Sequence, residues 1–352
     1  MAYTTIDDPS AYFQTALYSG DSSSVTVTND GNSDLQPDWL WFKKRNTTGD
    51  HNTFDTSRGL TERLFPNLTS AVDSGSNGIS ALTNGFTSGT FYGDVNGAGN
   101  TFVTWQWKCN GGTRTTFTES GNNPGGGYQA NTTAGFSIVD YTGTGALGTI
   151  AHGLGVAPTV VFVKGRDDGH AWIVKHSGAG NPVLVLNATD AASSGSTEFN
   201  NTAPTSSVFT VNTAGGTNQD GEKFIAYCFA PIQGYSKFGA YTGNGNADGP
   251  FVYTGFKPAW IMIKNIDAAK VWFIWDNARD TYNVANHTVE ANASSAEANT
   301  GTGATNYIDM LSNGFKVRQT GSHLNPDSET VIYMAFAESP FVSSEGVPTT
   351  AR

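Results

Sequence analysis

Cysteine is nearly absent: only Cys109 and Cys228 occur in 352 residues. Two thiols cannot close a tetrahedral zinc site alone, and they give no disulfide framework. Charge is also scarce. Asp, Glu, Lys and Arg make up 14% of the chain, against about 25% in ordinary globular domains. Bases are the scarcer sign, 19 against 30 acids, for a net charge of −11. That balance repels phosphate backbones and anionic lipid surfaces, which excludes nucleic acid as a partner. No apolar run approaches the ~18 residues of a membrane-spanning helix, which excludes membrane insertion. Residues 1–13 carry neither the basic segment nor the apolar core of a secretory signal, so synthesis in a cytoplasm is expected. Too little Ala, Glu, Lys, Arg and Leu excludes a coiled coil, and glycine without a period of three excludes collagen.

What the chain has is glycine, aromatics and an internal repeat. Glycine numbers 42, and aromatics make up 12% of the residues, too many for a disordered chain. Three segments open on Tyr18-Ser19-Gly20, Tyr141-Thr142-Gly143 and Tyr241-Thr242-Gly243. Pro37, Pro158 and Pro258 follow, each starting an apolar run that closes six residues later on Lys43, Lys164 and Lys264. Fourteen residues after the prolines stand His51, Trp172 and Trp272, and eighteen after them Asp55, His176 and Asp276. Arg58 and Arg279 lie 21 residues after theirs. Phe86, Phe209 and Phe315 match in the second half, and each segment ends in an aromatic strand: 101–107, 223–229 and 330–336. This places one unit at 1–110, a Gly/Asn-rich linker at 111–132, a second unit at 133–233 and a third at 234–352, the last with a C-terminal tail.

Short apolar runs rich in β-branched and aromatic residues predict strands buried on both faces. A proline fits where a strand begins. The turns at 165–171 and 265–270 make each run the first arm of a hairpin. Residues 56–65 and 276–287 have the composition of one helical turn or a short helix. The expected fold is all-β: three tandem β-sandwich or jelly-roll-like units with few short helices.

The stretches AYTTIDDPSAYFQTALYSG, HGLGVAPTVVFVK, FIAYCFAPIQGYSKFGAYTGNGNADGPFVYTGFKPAWIMIK, DMLSNGFKVR and VIYMAFAESPF resemble a repeat of structural and tail-fibre-like proteins of marine tailed bacteriophages, notably those of cyanobacteria and pelagic bacteria. The resemblance covers nearly the whole chain. It implies a surface-exposed virion protein without enzymatic activity or cofactor, made in the host cytoplasm. Expected partners are other virion proteins of tail or capsid and host surface glycans. A homotrimer is expected by analogy with fibres. The first repeat begins almost at residue 1, which points to a short fibre, a tail-attached trimer or a capsid decoration. A tail-fibre adhesin is the leading expectation; a cement protein on the major capsid protein and a polysaccharide depolymerase are the alternatives.

Trp272 and Trp275 face opposite ways on a strand, so one of them could reach a surface and stack on a sugar. Asp55 with Arg58, and Asp276 with Arg279, are spaced to pair across a turn. Asp276, Asp280, Glu290 and Glu297 are the carboxylates a glycoside hydrolase would need in pairs. His170 and His176 would share a face of one continuous strand, but a metal site needs three or four ligands, and Asp55 and Asp276 at the places matching His176 point to a shared polar slot. Asn244-x-Asn246-x-Asp248-Gly249 copies half a calcium loop but has Gly255 where a bidentate Glu belongs. Residues 166–169 and 218–222 are acidic turns. No metal is expected at any of them.

Overall fold

The run after each proline becomes a strand buried on both faces, at an interior position of its sheet. The computed structural model describes residues 2–75, 78–90, 92–299 and 307–349. In the first unit β1 (Phe13–Ser19), β2 (Trp39–Lys44), β3 (Asn52–Asp55) and β4 (Thr101–Trp107) form an antiparallel sheet in the order β1-β4-β2-β3. The second unit repeats it with β5 (Phe136–Thr142), β6 (Val160–Gly165), β7 (Ile173–His176) and β8 (Lys223–Phe229), ordered β5-β8-β6-β7. The third repeats it again with β9 (Ser236–Thr242), β10 (Phe256–Asn265), β11 (Phe273–Asp276) and β12 (Thr330–Pro340), ordered β9-β12-β10-β11. Register matches as well. Trp39, Val160 and Trp260 lie opposite Trp107, Phe229 and Phe336 on one side, and opposite Asp55, His176 and Asp276 on the other.

A smaller sheet covers one face of each large one. It is built from strands at Val25–Val27, Ile79–Ala81 and Phe86–Ser88 in the first unit. The second uses Gly148–Ala151 and Val208–Val211, and the third Phe251–Tyr253, Ile308–Leu311 and Gly314–Val317. Phe86, Phe209 and Phe315 are fully buried between the two layers. Period-two alternation then divides each central strand. Leu40, Val161 and Ile261 point into their own sandwich. Trp39, Val160 and Trp260 point the other way, into one core shared by all three units. There Trp39 stacks on Tyr227 of the second unit at 4.5 Å, and Trp107 meets Trp260 and Phe336 of the third at 5.8 and 5.6 Å. The units are therefore packed on one another and are not beads on a string.

Two local expectations change. Residues 111–132 are not a free connector. Thr115–Phe117 and Gly126–Asn131 extend the second unit's sheet beyond β5. The glycines there serve packing: a Cβ at Gly126 would lie 2.1 Å from the Asp140 carbonyl oxygen. Gln129 ties the segment back to the first unit by donating to the Thr56 and Ser57 hydroxyls. Residues 56–65 and 276–287 form turns and strand where a helix was expected. The Asp55 and Asp276 carboxylates capture the backbone N–H of Arg58 and Arg279 and fold the chain into a side-chain-closed turn. Among the described residues the single-turn helices lie elsewhere, at Pro9–Ala11, Gly93–Asn96, Ser177–Ala179, Ser196–Phe199 and Gly215–Asn218.

Candidate functional site

The polar residues that the repeat reiterates converge on the three joints between units, and the joints run in a ring: first unit to third, second to first, third to second. The lysines show it most directly. Lys43 Nζ donates to Lys44 O and Gly49 O in its own unit and to Ser294 O in the third. Lys164 Nζ donates to Gly165 O and Asp168 O, and across the joint to Thr69 O. Lys264 Nζ donates to Asn265 O and Ala268 O, and across to Thr189 O. All three lysines are buried. Burial pushes each ammonium down to about 8, while three carbonyls satisfy its three donors.

The residue fourteen after each proline makes the second link. His51 Nδ1 accepts from Trp41 Nε1, so its Nε2 carries the proton and donates to Glu290 O in the third unit at 3.0 Å. Trp172 Nε1 donates to Phe65 O in the first unit and Trp272 Nε1 to Val185 O in the second. Backbone bonds close the same three seams, from Glu297 N to Arg45 O, Val72 N to Arg166 O and Ala192 N to Ile266 O.

The acidic slot makes the third link. Asp55 holds Arg58 at 2.5 Å and accepts from the Tyr227 hydroxyl of the second unit at 2.7 Å. Asp276 holds Arg279 at 2.6 Å and accepts from Trp105 Nε1 of the first unit at 2.9 Å. Both ion pairs are fully buried. At the remaining joint the matched residues are His176, Ala179 and Met334. The donor, the acid and the arginine are replaced together, and His176 Nε2 meets Tyr333 O at 3.3 Å. A methionine offers no proton, so a carboxylate there would be buried without its partners.

The other candidates are engaged within the fold. Trp272 and Trp275 are 2% and 0% exposed. One is spent on the joint and the other lies in the third unit's own core, which leaves neither ring open to a sugar and corrects the expectation of a stacking platform. Asp276 and the three carboxylates near it each have other partners and do not form an acid–base pair. Asp280 binds His287 at 2.6 Å, and Glu290 reaches the Ser295 hydroxyl at 3.4 Å. Burial alone would raise the Glu297 carboxyl, but Arg45 and Arg279 hold it below the usual range. In the calcium-like loop, Asn244 Oδ1 and Asn246 Oδ1 accept from the backbone N–H of Asn246 and Asp248 and so close turns.

Sequence reading missed one repeated residue. Asn96, Asn218 and Asn325 each stand five residues before the last strand of their unit. Their Oδ1 accepts from the N–H after the opening Tyr-x-Gly, at Asp21, Thr144 and Asn244. The tyrosine hydroxyls donate to the preceding carbonyls of Val95, Thr217 and Leu324. Glycine is required in Tyr-x-Gly because a Cβ at Gly143 or Gly243 would fall 2.1 or 1.8 Å from a carbonyl oxygen. The fixed five-residue spacing was the available signal.

Two predictions arise here. Lys175 on β7 is 1% exposed, and among the described residues its Nζ has no hydrogen-bond partner and meets the Phe199 ring at 5.3 Å. Burial drives it down to about 8. Lys175→Met is expected to stabilise the chain by about 1–3 kcal/mol; an unchanged or lower urea midpoint would refute this. The second concerns acid. Burial holds His51 well below 6.5 and His176 down to about 4. Both stay neutral in the fold while the unfolded chain takes up protons below pH 6.5. Their stabilisation is complete above that pH and is lost as pH falls, for His176 through about 4, on the order of 3 kcal/mol for that group. Denaturant midpoints between pH 7 and 4 test it, and a His176→Gln variant should show a shallower decline.

Among the described residues no helix is long and apolar enough to cross a membrane. No curated protein and no solved structure matches the chain. One family model matches residues 8–340 and so takes in all three units and all three joints. By that match the chain belongs to the family described as a domain of unknown function, DUF7483.

Proposed function

We propose that the protein is a non-enzymatic structural component of a bacteriophage virion, of the tail-fibre or adhesin type, bound to other virion proteins and presenting loops to host glycans. The observation that carries the reading is where the repeated polar residues go. Lysines, the two Asp–Arg pairs and His51 are consumed in joints between units, so the repeat multiplies a shape and no reactive centre. Gly-, Asn- and Thr-rich turns are left to form polar contacts. The ring of joints closes within one chain the threefold arrangement that a fibre analogy assigns to three chains, so this reading does not need a homotrimer.

The experiment is quantitative mass spectrometry of purified particles together with a particle reconstruction. The expected result is a low copy number at the tail. Density spread over the capsid lattice would replace the adhesin with a decoration protein. Absence from particles would overturn the reading. Release of reducing ends from host polysaccharide by the purified chain would overturn its non-enzymatic part.

A further inference from the structure

The β6–β7 hairpin turn of the second unit, residues 166–170, lies against Glu222, the residue before β8. Ligand atoms of Asp168, His170 and Glu222 all lie within 4.8 Å of one another. The Glu222 side chain is 3% exposed. Its Oε1 accepts from Asp168 N at 3.3 Å, but among the described residues its Oε2 makes no hydrogen bond. His170 Nε2 stands 2.8 Å from that oxygen and is equally without one, because the approach lacks a hydrogen bond's angle. A buried carboxylate oxygen and a ring nitrogen thus lie 2.8 Å apart without a hydrogen bond joining them.

The neighbouring charges are engaged elsewhere. Lys164 Nζ sits on its three carbonyls, Arg166 Nη2 on Glu62 at 2.6 Å, and Asp167 accepts from Lys223 N. The other units resolve the same position differently. In the third, Glu329 receives Asn265 Nδ2 at 2.7 Å, and Ala268 and Lys270 occupy the places of Asp168 and His170. In the first, the place of Glu222 is held by Asn100. The second unit has Gly165 in place of Asn265, and a Cβ there would lie 2.4 Å from Glu222 Oε1 and 2.9 Å from His170 Cδ2. The amide donor has been removed, the room kept, and an imidazole and a second carboxylate added.

We propose that Asp168, His170 and Glu222 bind one divalent transition-metal ion, of the zinc or manganese class, with water completing its coordination. Two carboxylates and an imidazole suit those ions, and the imidazole disfavours calcium and magnesium. Adjacent ligands about 2.1 Å from a metal at right angles are about 3 Å apart, close to the 2.8 Å between His170 Nε2 and Glu222 Oε2. The ion would pin the hairpin turn to the start of β8, beside the joint where Lys164 reaches the first unit. The acidic turns at 166–169 and 218–222 are separate in the sequence, where no metal is expected of either. The fold joins them.

The full chain, stripped with chelator, is titrated with Zn2+ and with Co2+ by calorimetry, and the Co2+ sample is read by visible absorption. The expected result is one ion per chain, a cobalt d–d band and a higher melting temperature. His170→Ala and Glu222→Gln should each weaken binding at least about tenfold. Asp168→Asn, at an exposed position, tests the site even where Glu222→Gln fails to fold. No saturable binding below about 1 mM, or full affinity in both His170→Ala and Asp168→Asn, overturns the proposal and leaves a simple His–Glu pair.

Discussion

Asp55→Ala is expected to destabilise the chain by about 3–5 kcal/mol, because it strands a buried guanidinium. The buried Arg58 side chain loses the carboxylate it is paired with and keeps the Thr53 and Glu62 carbonyls and the Tyr227 hydroxyl, the last at 3.4 Å. The same change removes the acceptor of the Tyr227 hydroxyl and opens a polar gap at the joint between the first and second units. Tyr227→Phe separates the two effects. It deletes the hydroxyl's bond to Asp55 and the 3.4 Å bond it accepts from Arg58 Nη2 and leaves the ion pair, so a loss of about 1–2 kcal/mol is expected. Removing both charges at once, as Asp55→Leu with Arg58→Met, should be milder than Asp55→Ala alone, since no unpaired charge remains. Urea denaturation of the set measures all three. An Asp55→Ala variant within about 1 kcal/mol of the parent, or a double variant worse than the single, would contradict this account. Asp276→Ala removes the acceptor of Trp105 Nε1 but should cost less than Asp55→Ala, because Arg279 keeps a second carboxylate, Glu297 at 3.2 Å.

The same residues explain what could be read in advance. The repeat was legible because strands fix spacing: Pro37, Lys43, His51 and Asp55 lie on one hairpin, whose length cannot drift without losing register. The all-β layering followed from apolar runs too short for helices. The Asp–Arg turns were legible because the partners are three residues apart. Partners across the joints were not. Nothing in the sequence near Asp55 points to Tyr227, and the distance between them is set by how one sheet docks on another. Trp272 and Trp275 were offered to solvent for the same reason. Alternation says that they face opposite ways, but both directions lead into apolar cores, because each large sheet is covered on one face by its own small sheet and on the other by its neighbours. The segment at 111–132 read as a linker because glycine marks both flexible chain and close backbone packing, and composition does not distinguish the two.

Trp39→Ala is expected to lower the stability of all three units together. The indole is 2% exposed in the shared core, touching Trp107 at 4.4 Å and Tyr227 at 4.5 Å, with Phe136 and Phe229 within 5.9 Å. Emptying such a site costs about 3–5 kcal/mol, the transfer term plus the cavity left behind. Its neighbours belong to two units, and Trp107 and Phe229 both touch Phe336 of the third, so the loss cannot stay local. The large-sheet faces that meet there are apolar, and a unit released from the ring would expose its own face to water. Separate melting of the units is thereby disfavoured. Calorimetry of the parent should give one unfolding transition whose van't Hoff and calorimetric enthalpies agree, and Trp39→Ala should shift that transition as a whole. Three resolvable transitions, or a variant in which only the first unit's hydrogen-exchange protection falls, would show that the central core does not couple the units.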